Sequence, residues 1–236
     1  MLARLPRGFF NENGPVLRKT FFTSGGAMLF VSLTTLAGAQ LPGAPVLQNA
    51  WATPGIVGAI NIGGGSDGTV YAAAASWTPA SGRFEISGGA GSLSRTGAGS
   101  RGVYGIRLAM PVMGGPTSSF GIAAFAGAGG GGGTRSGPSD STASTTQIPV
   151  GAALAWRRAI GATHGFSVYA SPSYTFLSGG SKTGGLVRAA IGADVGITAS
   201  IGVTGGIEFG QTRARALGGP SGTLYGLGVA YAFGHR

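Results

Sequence analysis

The chain has 236 residues, carries a net charge of +10 and contains no cysteine, so disulfides and thiolate metal sites are excluded. Only 9% of residues are charged, against about 25% in ordinary soluble domains, while 43% are hydrophobic and 49 are glycine. The positive residues are scattered rather than clustered, which speaks against a nucleic-acid footprint, and so charge-poor a surface would dissolve badly in water.

Arg4, Arg7, Arg18 and Lys19 form a basic N-terminal region, Phe21 to Ala37 is mostly apolar, and Ala37-Gly38-Ala39 fits a small-residue cleavage site. Residues 1–39 therefore read as a secretory signal peptide cleaved near Ala39. Ser24, Gly25 and Gly26 interrupt the apolar run, which falls short of the ~20 residues a spanning helix needs. Residues 40–53 read as a periplasmic lead-in, and 54–236 as one β-domain.

Ten segments then repeat one pattern, near Ile56–Ile62, Thr69–Trp77, Arg83–Ser92, Val103–Val112, Phe120–Ala128, Gln147–Arg157, Phe166–Phe176, Leu186–Ile197, Ser200–Gly210 and Leu224–Phe233. Successive side chains of a strand point to opposite faces. In the last segment Tyr225, Leu227, Val229, Tyr231 and Phe233 share one face, and Gly226, Gly228, Ala230 and Ala232 the other. The sixth, eighth and ninth divide in the same way, with bulky apolar groups opposite small or ionic ones. Pro172 falls inside the seventh segment, where a bulge or bend is expected.

The connections near Pro79–Gly82, Gly114–Thr117, Gly161–His164 and Thr198–Ala199 are tight, and those at Ser94–Ser100, Gly129–Ser144, Ser178–Gly185 and Gln211–Gly222 are longer. This alternation suits an up-and-down transmembrane barrel with periplasmic turns and external loops. Trp77, Phe84, Phe120, Trp156, Phe166, Tyr231 and Phe233 fall at strand ends beside the tight turns or the C-terminus. Tyr71, Tyr104, Tyr174, Phe176, Phe209 and Tyr225 fall at the opposite ends, so two interfacial belts are expected.

On export signal, alternating strands, belts and the final strand Leu227-Gly228-Val229-Ala230-Tyr231-Ala232-Phe233, the mature segment resembles the bacterial outer-membrane β-barrel proteins. Family members typically end at the terminal aromatic residue, whereas this chain continues through Gly234, His235 and Arg236. The resemblance implies an all-β antiparallel barrel of about ten strands in the outer membrane, with the lipid bilayer and the barrel-assembly machinery as partners.

The inner face holds the ionic candidates Glu85, Arg107, Arg188, Asp194 and Glu208. A hairpin centred on Thr198 would set Arg188 directly opposite Glu208, and Glu85 would lie diagonally from Arg107. These groups line a narrow polar path or neutralise one another. No catalytic constellation, metal site or cofactor motif is evident: His164 falls in a turn and His235 in the tail, and Lys182-Thr183-Gly184 lacks a Ser-x-x-Lys partner. The expected role is structural or porin-like, a narrow conduit without catalysis. The alternative is a surface-binding adhesin barrel acting through loops such as Gly129–Ser144. Arg95, Arg101, Arg135, Lys182, Arg213 and Arg215 form a basic rim suited to lipopolysaccharide phosphates.

Overall fold

A computed structural model describes residues 49–50, 53–65, 68–95, 99–115, 118–131, 145–160, 164–179, 182–210 and 223–233. The signal-peptide segment 1–39, most of the lead-in, and the stretches 132–144 and 211–222 lie outside the described residues, as do Arg135, Arg213 and Arg215 and the side chains of Arg95, Arg101 and Lys182.

Ten strands form the domain: β1 Gly55–Gly65, β2 Gly68–Thr78, β3 Glu85–Arg95, β4 Gly99–Met113, β5 Phe120–Gly131, β6 Thr145–Ile160, β7 His164–Gly179, β8 Lys182–Gly196, β9 Ile201–Gly210 and β10 Thr223–Phe233. Each pairs antiparallel with its sequence neighbours, and β1 pairs with β10 to close the barrel. Closure matters because lipid supplies no hydrogen bonds, so a spanning sheet must have no free edge.

The pleat sorts the side chains. In β10 every odd-numbered residue from Tyr225 to Phe233 is exposed and every even-numbered residue from Leu224 to Ala232 is buried. The same division runs through β7, where Ser167, Tyr169, Ser171, Ser173 and Thr175 are buried and Val168, Tyr174 and Phe176 exposed. The bulky apolar groups thus mostly face outward and the inner face is mostly small or polar, with Val70, Leu93 and Val103, and Leu177 and Leu186, as buried apolar clusters on the inner side near the loop end. Each bulky aliphatic group moved from water to hydrocarbon contributes about 1.5–3 kcal/mol.

Three local features differ from the sequence reading. First, the strands run further than expected on the loop side. β7 and β8 are separated only by residues 180–181, and β3 and β4 by 96–98, so the strict alternation of tight and long connections does not hold. The alternating pattern fades into Gly and Ser before the ladder ends, and backbone pairing needs no apolar side chain. Second, no bulge occurs at Pro172. The β6–β7 register is the same above and below it, from Gly151↔Ser173 to Leu154↔Ala170, with only the rungs between left open. Pro172 points outward and is exposed, so its missing N–H costs rungs without adding a residue. The register shift falls instead between Pro111 and Met113, at the end of β4.

Third, the β8–β9 turn is wider than a two-residue hairpin. The Thr198 hydroxyl accepts from the Ser200 and Ile201 backbone N–H groups at 3.2 and 3.0 Å, while the Ile201 carbonyl accepts from the N–H groups of Ile197 and Thr198 at 2.9 and 3.1 Å. Threonine commonly captures nearby N–H groups in this way. Residues 197–200 consequently leave the ladder, and Arg188 faces Gly210 while Ala190 faces Glu208. At the β2–β3 connection, Gly82 adopts φ 63° and donates to the Pro79 carbonyl at 2.8 Å, a backbone state that glycine enters without a Cβ penalty.

Candidate functional site: the barrel lumen

Five lumenal ionic groups are brought inside the wall. Relative exposure is 2% for Glu85, 1% for Arg107, 6% for Arg188, 1% for Asp194 and 4% for Glu208. Isolated charges are costly in such surroundings, so their partners decide what the lumen does.

Near the loop end, an Arg188 guanidinium nitrogen pairs with Glu208 Oε1. The two sit diagonally across β8 and β9 rather than directly opposite, because of the wider turn at 197–200. Arg188 is long enough to span the offset, so the pairing survives a register the sequence did not anticipate.

Glu85 and Arg107 are also diagonal, with Glu85 opposite Ala109 and Arg107 opposite Ser87. Thr78 lies within hydrogen-bonding reach of Glu85, whereas the Arg107 guanidinium and the Ser87 hydroxyl have no hydrogen-bond partner among the described residues. Arg107 lies over the Phe125 ring, 4.4 Å from its centroid, and the attraction of a cation to the ring face holds it there. Phe125 fits because Gly151 across the ladder is bare: a Cβ there would come within 2.7 Å of the Phe125 ring.

A second aromatic, Tyr169, enters the lumen and is 4% exposed. It belongs to a register row with Gly192, Gly206, Gly226 and Gly63 on the neighbouring strands. A Cβ on Gly192 would stand 2.6 Å from Tyr169 Cζ, so Gly192 is the bare backbone over which the ring lies. Gly151 and Gly192 thus have a steric purpose: a narrow cylinder needs bare backbone where a large inward side chain crosses it.

The next row toward the turn end contains Asn61, Gly228, Thr204, Asp194, Ser167 and Arg157. Arg157 Nε donates to the Ser118 carbonyl at 3.1 Å and Nη2 to the Gly115 carbonyl at 3.3 Å, tying β6 to the β4–β5 connection. Into the same row reaches a residue from ahead of β1. Asn49 Nδ2 donates to Ser167 Oγ at 2.6 Å and to Asp194 Oδ2. Ala50 packs with Ala123, Ala153, Ala155 and Tyr169, and Thr53 is buried. The part of segment 40–53 that is described therefore lies against the inner wall.

Outside, Tyr71, Trp77, Tyr104, Phe120, Trp156, Tyr174, Phe176, Phe209, Tyr225, Tyr231 and Phe233 are exposed on the outer face, and Phe166 is half-buried. Phe84 precedes β3 and meets Trp77 edge to face, with centroids 5.7 Å apart. Tyr174–Phe176 and Tyr231–Phe233 form similar pairs at 4.8 and 4.9 Å. Between these residues the wall is aliphatic, with Ile60, Ile106, Leu227 and Val229 among its exposed members.

Sequence reasoning missed Phe125, Tyr169 and Asn49 as lumen residues. Parity would have found the first two, since Phe125 alternates in step with Gly121 and Ala123, and Tyr169 with Ser167 and Ser171. Asn49 carried no such signal because it precedes the first strand.

No protein-family model matches this chain, and no curated protein matches its sequence. Among solved structures, the chain is similar to the β domain of the Bordetella autotransporter BrkA, with a TM-score of 0.51 at 11% identity over 75% of this chain and 98% of that one. At that identity the likeness is one of fold. It agrees with the closed antiparallel barrel.

Proposed function

From the premise that the chain is an outer-membrane β-barrel protein in fold, we propose that it is a non-catalytic structural barrel of the outer membrane whose lumen is filled by its own side chains. The observation that carries this reading is the burial of Glu85, Arg107, Phe125, Tyr169 and Asp194 on the inner wall, where an open conduit would leave lumenal charges wet. A barrel of about eight strands has an interior just wide enough for side chains to fill. Ten strands enclose more space, and Phe125, Tyr169, Asn49 and Ala50 are buried within it.

The test is single-channel recording after refolding into planar bilayers, with folding verified by heat-modifiable electrophoretic mobility. The wild-type barrel should stay near baseline, and the Arg107→Ala/Phe125→Ala double variant should conduct. Large discrete steps from the folded wild type would overturn the sealed-lumen reading in favour of a porin-like conduit. The same proposal includes insertion by the barrel-assembly machinery through β10 and pairing of the basic residues near the loops with lipopolysaccharide phosphates. That pairing is electrostatic, so retention on lipopolysaccharide should fall as salt rises.

A further inference from the structure

Among the described strand side chains, Arg158 is the only charged group on the outer wall. It follows Leu154 and Trp156 on the outward parity of β6 and is exposed. The pleat sends its neighbour Arg157 to the other side, where the Ser118 and Gly115 carbonyls hold the guanidinium and so fix the strand end from which Arg158 projects. Directly opposite Arg158 on β7 is Phe166, and opposite Trp156 on β5 is Phe120. No carboxylate offsets the charge from within the wall, because the acids among the described residues, Glu85, Asp194 and Glu208, are all buried on the inner face.

Depth decides what Arg158 meets. The outward residues from Ile148 to Trp156 cover ~20 Å along the membrane normal at ~2.5 Å per residue, most of the ~25 Å apolar band. Trp156 therefore sits at the headgroup level that interfacial rings prefer, and Arg158 stands ~5 Å beyond it on the same face. The groups available at that depth are lipid headgroups. A guanidinium presents its N–H donors as a planar fork that matches phosphate oxygens. A zwitterionic lipid brings its own ammonium to that phosphate, whereas an acidic lipid leaves the negative charge for the protein to neutralise.

We propose that Arg158, framed by Trp156, Phe120 and Phe166, is a binding site at the turn end of the barrel for the phosphate of an acidic glycerophospholipid. The arginine takes the phosphate, and the aromatic side chains border the upper part of the acyl chains. The site lies at the opposite end of the wall from the basic residues near the loops, and it rests only on the outer wall meeting lipid, not on whether the lumen is sealed.

The tryptophans Trp51, Trp77 and Trp156 supply the reporter. A barrel carrying Trp51→Phe and Trp77→Phe keeps Trp156 alone beside the site, with folding verified by heat-modifiable mobility. It is reconstituted into vesicles of mixed phosphatidylglycerol and phosphatidylcholine, with one or the other lipid brominated near the top of its acyl chains, and quenching of Trp156 reports which lipid is in contact. At low salt phosphatidylglycerol should be preferred by about five-fold, the factor that one arginine at a membrane surface supplies. High salt should reduce the preference, Arg158→Gln should bring it close to unity, and Arg158→Lys, which keeps the charge, should retain most of it. Inorganic phosphate should have no more effect than chloride at the same ionic strength; a specific loss of preference in phosphate would mean that the site takes a free anion and would overturn the lipid assignment. Equal quenching by the two lipids in the parent barrel, or a preference that survives Arg158→Gln, would overturn the proposal while leaving the lipid-facing wall intact. Absence of quenching by either lipid would overturn the wall assignment and the site together.

Discussion

Replacing Ile60 by arginine tests which side of the wall meets hydrocarbon. Ile60 is 67% exposed and lies at the middle of β1, which runs from Gly55 to Gly65. With a rise of ~3.3 Å per residue and a tilt of ~40°, each residue advances ~2.5 Å along the membrane normal. Five residues on either side place Ile60 about 13 Å from each strand end, close to the midplane of the ~25 Å apolar band. Arginine there should cost about 2–4 kcal/mol, whereas at Ile56, one position from the strand end, it should cost about 0–1. On a water-soluble barrel the same exposed substitution would change stability by no more than about 0.5 kcal/mol. The assay is reversible unfolding in phospholipid vesicles by guanidinium, followed by tryptophan fluorescence. Equal and negligible effects of Ile60→Arg and Ile56→Arg would refute the lipid-facing assignment of the wall.

Gly192→Ala places a Cβ 2.6 Å from Tyr169 Cζ and 2.7 Å from the Gly205 carbonyl, and should destabilise by about 1–3 kcal/mol through overpacking; in the Tyr169→Ala background part of that cost should disappear, and a strictly additive double mutant would count against the ring-over-glycine packing. Removing one member of the Arg188–Glu208 pair, as in Glu208→Gln or Arg188→Met, should cost about 3–5 kcal/mol, while Arg188→Met/Glu208→Leu recovers most of it, measured by the same unfolding titration. Deleting residues 132–144 should leave heat-modifiable mobility and baseline conductance unchanged for a structural barrel; loss of binding to a cell surface on that deletion would favour the adhesin reading instead.

Much of the fold was legible because the relevant signal is local. Parity alone assigned Val203, Leu227 or Val229 to one face and Ala230 or Asp194 to the other, and the aromatic belts followed from their positions at strand ends. The same parity held the information for Phe125 and Tyr169, whose size disguised their inward direction. No bulge forms at Pro172 because a missing donor opens a rung without shifting the strand. The Thr198 hairpin was misjudged because one hydroxyl bonding two backbone N–H groups widened the turn.

The division between sequence and structure is thus one of range. Alternation of bulky and small residues is set by the pleat, residue by residue, so the chain alone determined ten strands, an apolar outer wall and an interior of mostly small or polar groups. Which lumenal groups meet was decided only by the closed barrel, because register accumulates from turn conformations and from the joining of β1 to β10. The diagonal pairing of Arg188 with Glu208, the ring of Phe125 over Gly151, and the insertion of Asn49 beside Asp194 join residues far apart in the chain. A local pattern can aim each side chain inward, but only closure determines what it finds there.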